Sequence, residues 1–271
     1  MTLSTALVLG GGGLLGIGWM TGVLAALEES DALPAADADV VIGTSAGSAT
    51  GAAVLQYGSA TTLFDAMTRK SRRNAEMTPT GDLAAPMQAF GSIASSTAPD
   101  PERAQRFVAL SDALSTADPH ERRDAVASRL SGTTWPISLR VTALRSDGEL
   151  VVFAADSGVD LVDAVTASCA VPGIWPTVTI DGATYVDGGS LSPTNAHLAE
   201  DVERVIVLAP MVDDPATARP DVAAVLARAT VISPSSTTLS RSGDNPFDPD
   251  IRGLATVLGY DDGLEALSLL R

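Results

Sequence analysis

The sequence predicts an α/β fold in which short buried strands alternate with helices. Residues 6–9 form an apolar run that leads through four glycines into a helix with one apolar face, expected over residues 16–29. Residues 39–42 repeat the pattern, because this apolar run precedes a helix of very small side chains at 46–55. No linker clearly divides the chain of 271 residues, so we expect a single domain over residues 1–271.

The rest of the chain adds an insertion and two hairpins to this alternation. Residues 60–131 carry many basic residues and show helix and loop signals without a strand pattern, which predicts a helical cap or insertion. Two helices within it are expected to begin around Asp100 and Asp118, each followed by a proline. Strand and turn signals predict the later elements: strands at 138–145 and 149–153, a helix at 160–170, strands at 178–180 and 183–186, a helix at 195–202, a strand at 204–208, and helices at 222–228 and 251–270.

The composition excludes several classes of function. The formal net charge is −16, and an acidic surface repels nucleic-acid backbones and anionic lipid headgroups. We therefore expect no nucleic-acid partner, and any peripheral membrane contact would have to be apolar. The chain has a single cysteine, so no intrachain disulfide can form. One cysteine and two histidines are also too few for a His/Cys zinc site, so no metal is expected. The chain shows no signal-peptide pattern and no apolar stretch of about 18 residues, which predicts a cytoplasmic protein.

A serine flanked by glycines is the strongest indication of chemistry. The segment Gly43-Thr44-Ser45-Ala46-Gly47 follows a predicted buried strand and opens a helix. A turn of this kind is tight and strained, and it can expose the serine hydroxyl at the end of the sheet. Ser45 would then be placed to attack a carbonyl carbon, which predicts hydrolysis or transfer of an acyl group.

The glycine run from Gly10 to Gly13, followed by Gly16, has three interpretations. Its backbone N–H groups, at the start of a helix, would bind either a dinucleotide phosphate or a developing oxyanion. The third interpretation is a turn that only lets helix and sheet approach closely. The dinucleotide alternative needs an acidic residue at the end of the second strand, where this chain has Ile42 leading into Gly43. The oxyanion interpretation is therefore favoured.

Asp187 is the candidate general base. Asp-Gly pairs are common in hairpin turns, but Asp187 lies where a strand ends and is followed by Gly188 and Gly189. An aspartate next to Ser45 could accept its proton, and burial against apolar walls would raise the pKa and make it a stronger base. A plain turn aspartate is the alternative.

Taken together, these segments resemble the patatin-like phospholipases. The resemblance rests on the order and spacing of residues 6–13, 22–24, 43–47, 167–176 and 187–189. It implies a three-layer α/β/α sandwich with a central, mainly parallel sheet and a helical insertion. It also implies a lipid or other acyl-ester substrate and no cofactor. The roles that it implies are a dyad without histidine, formed by nucleophile Ser45 and base Asp187; an oxyanion hole at Gly11, Gly12 and Gly13; and motif glycines Gly16, Gly43, Gly47, Gly188 and Gly189.

Three alternatives remain open at this stage. The order Ser45, Asp187, His197 is that of a conventional hydrolase triad, although His197 falls in a predicted helix. A non-catalytic lipid-binding or regulatory module would have the same fold. Leu15 gives this reading some support, because it replaces the basic residue usual in the family. Cys169 lies in an apolar stretch without a basic neighbour in sequence, which favours a buried thiol over a nucleophile.

Overall fold

The computed structural model describes residues 4–69, 76–214 and 217–270. Within these ranges one mixed sheet contains eight strands: β1 (Thr5–Leu9), β2 (Val40–Thr44), β3 (Leu139–Arg145), β4 (Leu150–Phe153), β5 (Val178–Ile180), β6 (Ala183–Asp187), β7 (Arg204–Leu208) and β8 (Thr230–Ile232). The α-helices are α1 (Gly13–Glu29), α2 (Ala46–Tyr57), α3 (Ala60–Thr68), α4 (Ala84–Ala94), α5 (Asp100–Leu114), α6 (Pro119–Ala127), α7 (Leu161–Ser168), α8 (Pro220–Leu226), α9 (Ser236–Arg241) and α10 (Ile251–Ala266).

The sheet is mainly parallel, as predicted. Its hydrogen-bonded order is β5-β6-β3-β2-β1-β7-β8, and β4 also pairs with β3. The pairs between β3, β2, β1, β7 and β8 are all parallel, whereas β4 and β6 run antiparallel to β3. Parallel strands connected through helices place their carboxyl ends at one edge of the sheet, which is where α/β proteins form their sites.

Alternate residues of the central strand point into two separate cores. Leu7 and Leu9 of β1 pack in a large cluster with α1, α2, α7 and α10. Ala6 and Val8 pack on the opposite face, in a smaller cluster with α8 and the short 3-10 helix Ala196–Ala199. All four β1 side chains are fully buried. Helices therefore cover both faces of the sheet, and the three-layer prediction is confirmed.

Strands β2 and β6 approach each other along one edge of β3. Residues 143–144 pair with both β4 and β6, and residues 141–142 pair with both β4 and β2. Because β4 takes one edge over this whole stretch, β2 and β6 must share the other. They run in opposite directions, and their last residues face the consecutive positions Thr142 and Ala143. The carboxyl ends of two strands that are distant in sequence therefore meet.

Several boundaries differ from the sequence prediction. Helix α1 begins at Gly13 rather than Gly16, so the end of the glycine run is already helical. The helix expected at 195–202 is only the 3-10 turn Ala196–Ala199, and Asn195 before it has a left-handed φ of 50°. The short elements β8 and α9 were not predicted.

The insertion is helical in its described part. Helices α3 to α6 and loops make up residues 60–131, apart from residues 70–75, which lie outside the described ranges. Helix α3 packs against α1 and α10, and α6 packs against α7. Helices α4 and α5 pack against each other, and α5 also contacts β6. No helix in the described ranges is long and apolar enough to cross a bilayer.

Helices α1 and α10 approach each other through glycines. A Cβ on Gly22 would overlap the carbonyl oxygen of Thr256 and lie 2.5 Å from the Tyr260 nitrogen, and a Cβ on Gly259 would overlap the Trp19 carbonyl oxygen. Backbone atoms cannot move aside as a flexible side chain can, so this helix pair requires glycine at both positions.

We therefore expect Gly22→Ala to destabilise the protein by about 1–3 kcal/mol, the usual range for overpacking a close contact. Gly91→Ala is the matched control: Gly91 is also helical, its Cβ would meet nothing within 4 Å, and alanine is the better helix former. Urea denaturation measures both changes. Equal stability of the two variants would contradict the close-packing account.

Candidate active site

Ser45 lies in a strained turn between β2 and α2. Its backbone has φ 54° and ψ −116°, a conformation that L-residues rarely adopt and that costs on the order of 1–3 kcal/mol. Hydrogen bonds hold it there: the Ser45 N–H donates to Ser168 Oγ at 2.9 Å, and its carbonyl oxygen accepts from Ser48 Oγ at 2.6 Å. The turn presents the side chain at the carboxyl end of the sheet, as the motif predicts.

The two glycines of the motif are required by packing. A Cβ on Gly43 would lie 2.5 Å from the Ser48 Cα, and a Cβ on Gly47 would overlap the carbonyl oxygen of Leu9. The first contact lets the chain turn back on itself, and the second lets α2 pack closely against β1. Both glycines therefore shape the turn that carries Ser45.

Asp187 is a buried carboxylate at the end of β6. Asp187 is only 3% exposed, and its Oδ1 accepts a hydrogen bond from the Gly189 N–H at 2.7 Å. Burial raises the pKa of Asp187 to about 7, although the Ser45 hydroxyl, the Gly189 N–H and the Arg122 charge each lower it. A carboxyl with this pKa exchanges a proton near neutral pH.

Ser45 and Asp187 interact without a formed hydrogen bond. The Ser45 hydroxyl is close enough to lower the pKa of Asp187, yet Asp187 Oδ2 has no hydrogen-bond partner in the described part of the chain. The two side chains are therefore close, but no well-formed hydrogen bond joins them among the described contacts. Catalytic hydrogen bonds are often long before substrate binds and shorten in the complex. The structure brings together the two residues that the sequence singled out.

The glycine run lies directly beside Ser45. A Cβ on Gly11 would be 3.6 Å from the Ser45 Cβ, so the loop backbone borders the serine. The Gly11 N–H donates to the Pro193 carbonyl at 2.9 Å, and this donor is therefore already used. The N–H groups of Gly12 and Gly13 have no acceptor among the described residues and lie at the N-terminus of α1. Gly16 lies one turn further, where a Cβ would make a tight contact of 3.3 Å with the Pro210 side chain.

A cavity of about 400 Å³ opens onto these groups. Ser45, Asp187 and the glycines Gly11, Gly12 and Gly13 all line it. Its walls are mostly apolar and include Met87 and Phe90 of α4, together with Val171, Leu191 and Phe247. The insertion therefore contributes one wall of the cavity that contains both candidate catalytic residues.

Two residues considered from sequence lie differently. His197 is half-buried among Asp221, Arg219 and Glu200, and no described hydrogen bond joins it to Ser45 or Asp187. Cys169 is buried as expected, but Arg129 Nη1 is 4.0 Å from its sulfur, a basic neighbour that the linear sequence does not reveal. Burial nevertheless raises the pKa of the Cys169 thiol, which donates to the Ser45 carbonyl oxygen.

Supporting residues at the site were missed from sequence. Asn195 Nδ2 donates to Thr44 Oγ1 at 3.1 Å and to the Gly188 carbonyl at 3.2 Å, so it ties the end of β2 to the turn after Asp187. Thr142 Oγ1 lies 2.9 Å from Thr44 Oγ1. A Cβ on Gly188 would lie 2.5 Å from Thr142 Oγ1, and one on Gly189 would lie 3.0 Å from Asp187 Oδ1. None of these contacts has a local sequence signal. Across the described ranges, no group of three or more acidic, His or Cys side chains could hold a metal ion.

Comparisons with known proteins agree in part with this picture. Three solved structures are similar to the chain: VipD from Legionella pneumophila (16% identity, TM-score 0.48), the type III effector ExoU (18%, 0.47) and the complex of SpcU with ExoU from Pseudomonas aeruginosa (15%, 0.42). The alignments cover 99%, 99% and 98% of this chain, but only 67%, 53% and 52% of theirs, so it spans about half the length of the ExoU chains. No curated protein matches it. The family model described as "Patatin-like phospholipase" matches residues 7–200, and the chain therefore belongs to the patatin-like phospholipase family.

Proposed function

We propose that this protein is a serine acyl hydrolase that cleaves fatty-acyl esters. The observation that carries the proposal is a single juxtaposition. The strained Ser45 and the buried Asp187 line one apolar cavity, beside the uncommitted N–H groups of Gly12 and Gly13. These are the parts that acyl transfer needs: a nucleophile, a base and oxyanion donors.

In the first step, Asp187 accepts the proton of the Ser45 hydroxyl while Oγ bonds to the ester carbonyl carbon. The carbonyl oxygen becomes an oxyanion, which the N–H groups of Gly12 and Gly13 stabilise at the N-terminus of α1. When the tetrahedral intermediate collapses, the bond to the alcohol breaks and Asp187 returns its proton to the leaving alkoxide. The acyl group stays on Ser45.

In the second step, Asp187 takes a proton from water, and the resulting hydroxide attacks the acyl carbon. The same donors stabilise the second tetrahedral intermediate, the fatty acid leaves, and the proton on Asp187 returns to Ser45 Oγ. One carboxylate thus serves as base and acid in both halves. The pKa of about 7 suits it to this alternation, since an ordinary aspartate would be a much weaker base.

The apolar cavity favours a substrate whose main part is a hydrocarbon acyl chain. Its aromatic, methionine and aliphatic walls would remove a hydrocarbon chain from water, and each buried methylene contributes roughly 0.8 kcal/mol.

Gly11 forms part of the cavity wall in this proposal and is not an oxyanion donor, since its N–H already donates to the Pro193 carbonyl oxygen. The sequence alone suggested all three loop glycines as donors, and the proposal now rests on two of them. A cytoplasmic location stays a prediction.

We expect Ser45→Ala and Asp187→Asn each to lower ester hydrolysis by a factor of about 10³ or more, because each removes a group that acts in every step. His197→Ala and the exposed control Ser92→Ala are expected to keep most of the activity. Rates with p-nitrophenyl esters of increasing chain length measure this. Loss of activity in His197→Ala with retention in Asp187→Asn would replace the dyad by a triad. Wild-type protein that neither hydrolyses esters nor reacts with a fluorophosphonate would indicate a non-catalytic module.

The pH dependence of activity is expected to follow the ionisation of Asp187. Only the carboxylate can accept the Ser45 proton, so kcat/KM should rise with pH and level off above an acid limb near pH 7. A pH–rate profile between 5 and 9 measures the limb. An acid limb near pH 4 would contradict the buried-base account.

The contribution of Asp187 to the free energy of unfolding is expected to fall as pH rises, whereas the activity rises. The pKa of Asp187 is about 7 in the folded protein against an ordinary 3.8, so the folded state binds more protons between these values. The stability of wild type relative to Asp187→Asn should therefore fall as pH rises from about 4 to about 7, and then stay constant. Urea unfolding of both proteins across this range tests the sign, and a constant difference would contradict it.

A further inference from the structure

Arg122 is a buried cation whose hydrogen-bonding capacity is largely unused. The residue lies on α6 and is 3% exposed, and its Nε and Nη1 atoms have no hydrogen-bond partner among the described residues. Its Nη2 makes one long contact of 3.5 Å, to the Cys169 carbonyl oxygen. A buried guanidinium whose donors lack acceptors is costly, and native proteins rarely leave such donors unsatisfied without a functional reason.

The nearest acidic residue in this region is already engaged. Glu76 binds Arg129 through both carboxylate oxygens, at 2.8 and 3.0 Å, and binds Arg252 at 2.8 Å. Arg122 feels the Glu76 charge but makes no hydrogen bond to it. Arg122 also feels the charge of Asp187, so three buried guanidinium groups lie near two carboxylates, which leaves an excess of positive charge in this part of the interior.

The fork of Arg122 is held in place by an aromatic ring. Its guanidinium carbon lies 3.9 Å from the centre of the Trp175 ring, a cation–π contact that fixes the plane of the group without using its donors. Burial and the Arg129 charge lower the pKa of Arg122 to about 9, so the group keeps its charge at neutral pH. A planar, preorganised and charged fork is the usual receptor for a carboxylate or a phosphate.

Arg122 also lies beside the candidate nucleophile. A small cavity of about 20 Å³ is lined by Arg122, Arg129, Cys169 and Trp175 together with Ser45 and Gly13. Its volume suffices for about one water molecule, which is the size of one oxygen of a phosphate or carboxylate. Ser45, Gly13, Val171 and Phe247 line both this space and the large apolar cavity, so the two cavities meet at Ser45.

We propose that Arg122 forms an anion-binding subsite next to Ser45. This subsite binds a phosphate or carboxylate that the substrate carries within a few bonds of the scissile ester. This inference rests on the proposed function, and it names the chemical class of the substrate: an anionic acyl ester. The acyl chain occupies the apolar cavity, the ester carbonyl lies at Ser45, and the anionic group reaches Arg122 from the other side.

Binding of the anion can be tested without turnover. Inorganic phosphate, compared with chloride at equal ionic strength, is expected to raise the Tm of wild type and of Ser45→Ala, and to have no effect on Arg122→Gln. Arg106→Gln is the matched control, since Arg106 is an exposed arginine of the insertion that pairs with Glu102. Arg122→Lys keeps the charge and loses the fork, so a reduced phosphate effect is expected. An equal phosphate effect in wild type and Arg122→Gln would overturn the subsite.

The substrate assignment is tested with a matched pair of esters, octanoylglycerol and its phosphate monoester. We expect wild type and Arg106→Gln to prefer the phosphate ester in kcat/KM by about tenfold or more, the usual value of a charge-assisted contact. Arg122→Gln should lose this preference, which is read as the ratio of the two kcat/KM values because the Arg122 charge also lowers the pKa of Asp187 and its removal changes both rates.

Other outcomes separate the two proposals. If Arg122→Gln slows both esters equally and shifts the acid limb of the pH profile, Arg122 acts only on the charge of Asp187, and the subsite is overturned. If phosphate binds through Arg122 but no ester preference exists, the ligand is a free anion and the substrate assignment is overturned. If neither ester is hydrolysed in a Ser45-dependent way although phosphate binds, the proposed function fails and the anion site stands.

Discussion

The shared edge of β3 is the constraint on which the rest of the site depends. Strands β2 and β6 come from parts of the chain more than a hundred residues apart, yet they pair with consecutive stretches of this edge and run toward each other. Ser45 follows the last residue of β2, and Asp187 is the last residue of β6. Their proximity is therefore fixed by backbone hydrogen bonds of the sheet rather than by flexible side chains. The contacts of Asn195 and Thr142 then hold the two strand ends together.

The same arrangement explains the electrostatics. A carboxylate at a strand end inside the sandwich loses its hydration, and the Ser45 hydroxyl, the Gly189 N–H and the Arg122 charge compensate for part of that loss. The compensation is incomplete, and the pKa of Asp187 rises to about 7. If hydrogen bonds and charges replaced all of the lost hydration, the pKa of Asp187 would be low and the carboxylate would be a poor base. If nothing replaced it, the carboxyl would stay protonated at neutral pH. The insertion contributes on both sides of Ser45, because α4 lines the apolar cavity and α6 carries Arg122.

Local patterns were sufficient to predict the frame of the fold and to single out Ser45 and Asp187, whose pairing as a dyad followed from the family resemblance and stays a proposal. The apolar runs before the glycine loop and before Ser45 are long enough to identify strands, and the positions of Gly43 and Gly47 follow from the close approach of the turn. The remaining features depend on contacts that are distant in sequence. Nothing in the sequence distinguishes Arg122 from the other arginines, because its contact with Trp175 forms only in the folded chain. The hydrogen bond from the Gly11 N–H to the Pro193 carbonyl oxygen likewise joins residues that are distant in sequence. Strand β8 has three residues and α9 has six, too few for a periodic pattern to appear.

A crystal structure of the protein after reaction with an alkyl fluorophosphonate would test the central claim most directly. The account predicts phosphorus bonded to Ser45 Oγ and a phosphoryl oxygen about 3 Å from the amide nitrogens of Gly12 and Gly13. It also predicts that the alkyl chain lies in the apolar cavity and that Asp187 faces the new bond. An unmodified Ser45, or a phosphoryl oxygen directed away from both amides, would contradict it.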